Sequence, residues 1–425
     1  MMRIKLVTFA PHPNFGTCLQ SYALNYVLRK MGHDVEFIYN RRETPPPTFR
    51  HYIFAALKRI IKIFLSEKQI SRLKERKDAM ARNGQRGNDA PVILQLPDHR
   101  LLGFLSKCPG YKFFAKRWYY DNLQKRKVYK FTFEDGNFRM RRLFTHADYK
   151  TVVADADLFI TGSDQIWNPF CGGYNPMMFL EFVNDGTKCV AYSSSISLPE
   201  LPPSVTSRMK ASLQKFSHIA VREQRSVELL SGLLHRDDIK LVVDPTYLLS
   251  AEEWEEFGNR AEIEFAVPDK YIFCYFVGDK RTDVYERMVQ DVKRFTGIDK
   301  VINLECYDRQ RVYGGGITYR DAGPYEWVYL LRHASYVCMD SFHATVFALK
   351  FQKEFVHAMK NADTETGSQN TRMYDILSRY GILYKNYTDD GGTGWQQRID
   401  YQRLTPLIEQ EIKDSMDYLK YEIEN

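Results

Sequence analysis

Two rhythms of apolar residues alternate along this chain. Short unbroken runs read as strands buried on both faces, and longer stretches with apolar residues three and four apart read as helices packed by one side. Arg3 to Ala10 is the first such strand, and Pro11 to Gly16 is a loop. Thr17 to Met31 carries Leu19, Tyr22, Ala23, Tyr26 and Val27 on one face, Gly32 ends it, and Asp34 to Asn40 is the next strand. The spacing predicts a β–loop–α–β unit of Rossmann type. The loop lacks Gly-x-Gly-x-x-Gly, which argues against a dinucleotide site. Asn14 and Gly16 still let the backbone come close to a ligand at the helix N-terminus.

The rhythm breaks between Arg41 and about Lys150. Pro45-Pro46-Pro47 is a stiff turn, and Tyr52 to about Met80 is a predicted basic amphipathic helix with Ile53, Leu57, Ile60, Ile61 and Phe64 along one side. Aromatic and basic residues interleave from Tyr111 to Tyr120. The α/β pattern resumes at Leu158–Thr161, which runs into Gly162-Ser163-Asp164-Gln165-Ile166-Trp167-Asn168-Pro169. Lys188 to Ser193 is a strand followed by Ser194, and His218 to Val221 is a strand with Arg222 at its carboxyl end. Ile239 to Val243 closes on Asp244-Pro245, read as a structural strand exit and left out of the site. Ser250 and Glu253 form a capping box.

From about Asp269 strands and helices alternate again. Glu305 to Gly323, with Gly314-Gly315-Gly316, reads as a long loop, and Pro406 to about Ile423 as a terminal helix crossing back. The expected fold is α/β, with two Rossmann-like domains, each a mostly parallel sheet. Their expected bounds are 1–265, with a helical basic insertion at about 41–150, and 266–402, followed by the helix at 403–425. Ser335 to Met339 is a buried strand, and a helix begins just past Asp340 and Ser341, both good N-cap residues. His343 thus stands in a helix's first turn at the carboxyl end of a strand, where ligands collect and anions are favoured. An imidazole there can exchange a proton with a bound anion.

Composition narrows the class. The chain has 425 residues, 44% hydrophobic and 27% charged, which fits a globular protein and argues for two domains. No run of about 18 uncharged apolar residues spans a bilayer, and the first residues lack a signal-peptide pattern. Seven scattered cysteines without a Cys-x-x-Cys pair predict reduced thiols in the cytoplasm and no metal site. The net charge of +7 is local. Arg50–Arg82 and Lys112–Arg142 each hold 10 Lys or Arg against 3 Asp or Glu, so the rest of the chain is net negative. That region reads either as a solvated helical face or as a surface for an anionic, lipid-linked acceptor at the inner face of a membrane. No nucleic-acid module accompanies it.

Asn14-Phe15-Gly16 with Leu19-Gln20 and Tyr22-Ala23-Leu24, the stretch Thr161–Asn168, Val221-Arg222-Glu223, Val243-Asp244-Pro245-Thr246 and Asp340-Ser341-Phe342-His343 follow one another in order. Together they resemble the polysaccharide pyruvyl transferase family over nearly the whole chain, apart from the insertion and the tail. The resemblance implies two Rossmann-like domains facing each other across a cleft in GT-B-like fashion, and phosphoenolpyruvate as donor substrate, with no cofactor and no metal. It implies a sugar acceptor in capsular or extracellular polysaccharide, free or lipid-linked, a pyruvate ketal as product, and phosphate release. The donor's two anionic groups call for cations and N–H donors. Arg222 is the candidate anion clamp, His343 the general acid or base, and Asp164 the residue that positions the acceptor or orients His343. Ser163, Gln165, Asn168 and Ser194 suit hydroxyl binding, Trp167 suits stacking on a sugar, and Asn14, Gly16, Gly162, Ser341 and Phe342 complete the expected pocket. In other branches of the family an Arg stands two residues before the His; here that position is Ser341. Arg222 alone, or Arg320, Arg332 or Arg372 from a neighbouring element, must supply the charge. Two rival readings are a GT-B-like glycosyltransferase using a nucleotide sugar and a non-catalytic sugar-binding assembly protein.

Overall fold

The apolar runs become two parallel sheets in the computed structural model, which describes residues 1–9, 14–40, 127–278, 280–305, 312–362, 365, 367–388 and 390–424. Strands β1 (Arg3–Val7), β2 (Asp34–Tyr39), β3 (Met140–Arg142), β4 (Leu158–Thr161), β5 (Lys188–Ser194), β6 (His218–Val221) and β7 (Lys240–Leu241) form the first, in the order β3-β2-β1-β4-β5-β6-β7. Strands β8 (Ile272–Tyr275), β9 (Val301–Leu304), β10 (Ile317–Tyr319), β11 (Tyr336–Met339) and β12 (Phe355–His357) form the second, in the order β10-β9-β8-β11-β12. All pairings are parallel, so helices must return the chain on both faces, and the central strands are apolar on both. Those helices are α1 (Phe15–Lys30), α2 (Lys127–Phe133), α3 (His146–Ala154), α4 (Pro203–Leu213), α5 (Gln224–Leu234), α6 (Ala251–Gly258), α7 (Thr282–Thr296), α8 (Pro324–His333), α9 (Phe342–Lys350), α10 (Thr371–Arg379) and α11 (Tyr401–Glu424). Both halves are therefore Rossmann-like.

Strand order reverses between β1 and β4 in the first sheet and between β8 and β11 in the second. A crevice opens at such switch points because the connections leave on opposite faces. The segments after β1, β4 and β11 carry most of the site residues named above. One apolar core runs through both halves, joining Leu6 and Leu158 to Val337 and Phe347. Helix α11 ties them further. Its Ser415 Oγ accepts from Val243 N (2.9 Å) beside the first sheet, and Tyr401 Oη donates to Lys353 O (2.6 Å) beside the second.

Residues 1–40 and 126–425 form one compact unit. The predicted basic helix at Tyr52–Met80 and the stretch Tyr111–Tyr120 lie outside the described residues. The insertion does not reach Lys150: β3 pairs with β2, and a capping box at Thr145 and Asp148 starts α3. Nor is Glu305–Gly323 all loop, since β10 pairs with β9. Among the described residues no helix is long and apolar enough to cross a membrane.

Candidate active site

The loop after β4 positions Asp164. Gly162 has φ 118°, and a Cβ there would meet Tyr192 O at 2.1 Å, so only glycine allows the chain to turn here. Asp164 follows with its carboxylate in a fixed cradle. Thr17 Oγ1 donates to Oδ2 (2.8 Å), while Gln165 N (2.9 Å) and Arg222 Nη2 (3.2 Å) donate to Oδ1. Burial alone would push this acid up, but the Arg222, His343 and Arg372 charges hold it down at about 2.

Arg222 sits on the floor of the site, just past β6, 3% exposed. Its fork is divided among three carboxylates. Nη1 donates to Asp244 Oδ2 (2.7 Å), Nη2 to Asp164 Oδ1 and Nε to Glu223 Oε1 (3.2 Å). Burial opposes its charge, and these carboxylates more than restore it. The guanidinium also lies over the Phe342 ring, 4.3 Å from its centre.

Asp244 joins the halves. Its Oδ1 caps the short helical turn Pro245–Tyr247 by accepting from Thr246 N (3.1 Å) and Oγ1 (2.7 Å). Its Oδ2 faces the site, where Arg222 Nη1 donates to it and Ser163 Oγ lies 3.3 Å away. His343 Nε2 from the second half lies 3.4 Å from the same oxygen and makes no hydrogen bond. Burial would raise this acid; His343 and Arg222 hold it well below the usual carboxylate range. Reading Asp244 as purely structural is therefore corrected: it is the carboxylate nearest His343, a place the sequence reading offered to Asp164.

His343 stands in the first turn of α9, which Ser341 caps by accepting from Ala344 N (3.4 Å). Its other edge rests on α1. A Cβ on Gly16 would fall 2.2 Å from His343 Nδ1, so the close approach that Gly16 permits is to the imidazole. Asn14 accepts from Thr17 N (3.3 Å) and caps α1. Asp340 takes two backbone N–H groups, Val277 and Gly278 (both 2.6 Å), and the Tyr285 hydroxyl (2.7 Å).

Three expected ligand residues are spent inside the fold. Trp167 is buried, stacks on Phe179 (5.8 Å, 13°) and donates Nε1–H to Met178 O (3.1 Å). It offers no face to a sugar. Ser163 Oγ donates to Ser193 O (2.8 Å), and Ser194 Oγ to Thr161 O (3.2 Å), both fully buried. Asn168 differs: its Oδ1 accepts from Phe170 N (2.9 Å), while its Nδ2 is buried without a partner.

The three spare arginines separate cleanly. Arg320 is exposed and 4.0 Å from Glu305, and Arg332, at the end of α8, pairs with Glu255 (3.2 Å). Arg372, in the first turn of α10, reaches the site. Its Cζ is 5.7 Å from the centre of the Phe342 ring. With the Gln165 amide nitrogen turned to Gln369 Oε1 (3.2 Å), the Gln165 oxygen accepts from Arg372 Nε (3.3 Å) and Nη1. Glycines and an imidazole at strand ends were readable in the sequence; Asp244 was hidden by its capping role, and Glu223 by its place in the helix start.

A family model described as polysaccharide pyruvyl transferase matches residues 14–360. No curated protein matches the chain. Among solved structures, the UDP-GlcNAc 2-epimerase from Methanocaldococcus jannaschii is similar at 10% identity and TM-score 0.41, covering 96% of this chain and 99% of that one. SsfS6, a glycosyltransferase from Streptomyces sp. SF2575, is similar at 10% identity and TM-score 0.44, covering all of both chains.

Proposed function

The chain belongs to the polysaccharide pyruvyl transferase family, and from that premise we propose that it moves the pyruvyl group of phosphoenolpyruvate onto two hydroxyls of a sugar. The acceptor is a polysaccharide or its lipid-linked precursor, and we assign the reaction to the cytoplasmic side. One observation supports this most: Arg222 from the first half and His343 from the second converge on Asp244 Oδ2, at 2.7 and 3.4 Å.

The chemistry follows from that junction. His343 gives a proton to the donor's methylene carbon, which becomes a methyl group and leaves the central carbon electrophilic. Positive charge developing there is stabilised by Asp164 and Asp244, whose pKa values are held too low for either to be neutral near pH 7. For the same reason both are poor bases. The neutral imidazole is the better acceptor for the first hydroxyl's proton as that oxygen bonds to the central carbon. The bond to phosphate then breaks, the second hydroxyl adds, and its proton leaves with the phosphate. Two hydroxyl protons are thus accounted for, one restoring the imidazolium and one on phosphate.

The test is phosphate release from phosphoenolpyruvate with candidate acceptor oligosaccharides, together with detection of the ketal methyl group. His343→Gln should lose turnover by on the order of 10²–10⁴. Full turnover in that variant, or stabilisation of the protein by nucleotide sugars and not by phosphoenolpyruvate, overturns the proposal.

A further inference from the structure

Charge pairing in the site is lopsided. Arg222 carries one positive charge and touches Asp164, Asp244 and Glu223. An incoming dianion would meet a cation already outnumbered by carboxylates, with three of its five N–H groups committed. Arg372 is the reverse. Among the described residues it forms no ion pair, and its polar contact is a neutral amide oxygen. It is only partly buried, where Arg222 is buried. Both guanidinium groups flank the same Phe342 ring, at 4.3 and 5.7 Å, so Arg372 stands beside the proton donor's helix. Burial and the neighbouring Arg222 charge work against the charged form of Arg372, and the Asp164 and Glu223 charges offset them only in part, so a bound anion would favour it further. In the same site His343 Nε2, 3.4 Å from Asp244 Oδ2, is buried and makes no hydrogen bond.

We infer that Arg372 is the cation that receives an oxyanion end of the donor, and that Arg222 is a positioning residue holding Asp164 and Asp244 in place. The donor's identity rests on the reading above; the site's appetite for an oxyanion does not. Arg372 would thereby supply the charge that Ser341 lacks, from a different element of the second half.

Calorimetric titration of the full chain with phosphoenolpyruvate and, separately, inorganic phosphate tests this. Wild type should bind both. Arg372→Met should weaken phosphoenolpyruvate at least tenfold, the loss of one charge-assisted contact, and Arg372→Lys should recover part of it. Arg320→Met, away from the site, should bind like wild type. Without ligand, Arg372→Met should unfold within a few degrees of wild type, because the lost repulsion from Arg222 offsets the lost attraction to Asp164. Equal affinity in wild type and Arg372→Met overturns the inference and leaves the donor reading standing. So does an unliganded Arg372→Met that melts several degrees lower, which would mark a structural arginine. Arg372-dependent binding of phosphate without binding of phosphoenolpyruvate upholds the inference and sinks the donor reading. A wild type that binds neither anion sinks both.

Discussion

Gly16→Ala separates the imidazole's position from the fold's stability. Gly16 lies within α1, where alanine is the better helix former by up to about 1 kcal/mol. Its added Cβ would sit 2.2 Å from His343 Nδ1, 2.6 Å from Cγ and 2.9 Å from Cβ. Ordinary contact begins near 3.4 Å, so the ring must retreat by about 1.2 Å. Rotation about χ1 cannot move His343 Cβ, so α9 must also give way slightly, an overpacking cost of roughly 1–3 kcal/mol that the helical gain offsets in part. Stability should therefore fall by only about 1–2 kcal/mol. Catalysis should fall further. A misplacement near 1 Å costs on the order of 10² in rate. The expected result is a modestly lowered melting temperature with a cooperative transition and a kcat for phosphate release about 10² lower. Affinity for phosphoenolpyruvate, read separately by calorimetry, should change little, since the three atoms nearest the new methyl all belong to His343. Wild-type kcat in Gly16→Ala would refute the reasoning: the imidazole would then tolerate displacement and could not be the proton carrier.

Trp167→Phe should lose roughly 1–3 kcal/mol in urea melts, through the lost bond to Met178 O and the gap beside Phe179, with acceptor affinity unchanged; weaker acceptor binding with wild-type stability would restore the stacking role. Lys350 donates to Tyr247 O (2.9 Å), and burial pushes its ammonium down to about 8, with Glu253 and Glu252 opposing. Between pH 8 and its ordinary 10.5 the unfolded chain keeps a proton that the folded chain has shed, so wild-type stability rises with pH there. Lys350→Met should then be more stable than wild type by about 2 kcal/mol at pH 7, after one lost hydrogen bond, and the gap should close by about pH 10. A gap of equal size at both pH values would refute this.

What the sequence revealed and what it concealed divide along a physical line. Continuous apolar runs such as Leu158–Thr161 and Tyr336–Met339 announce central strands, because a parallel strand is dry on both faces. Edge strands have no such signature. Met140-Arg141-Arg142 pairs on one side only, and its Arg141 serves Glu36 and Asp155. Ile317–Tyr319 is three residues long and follows three glycines. Position at a strand end was legible for Asp164, Arg222 and His343. Availability was not, because it depends on what stands opposite. Ser163 is consumed by Ser193, thirty residues on, and Trp167 by Phe179.

Asp244 shows why a motif can hide a functional atom. Asp-Pro-Thr reads as a cap, and Oδ1 is one. A carboxylate has two oxygens, and the capping bonds fix the plane that aims Oδ2 at Arg222 and His343. The capping role thus prepares the functional one. The same coupling acts at larger scale. Asp244 belongs to the first half and His343 to the second, so their 3.4 Å separation is set by how the halves pack. The shared core and α11 hold that packing without substrate. Electrostatic catalysis gains most from charges that need not move during reaction. A proton carrier suspended between Gly16 of one half and its own helix in the other meets that condition only while both halves stay docked.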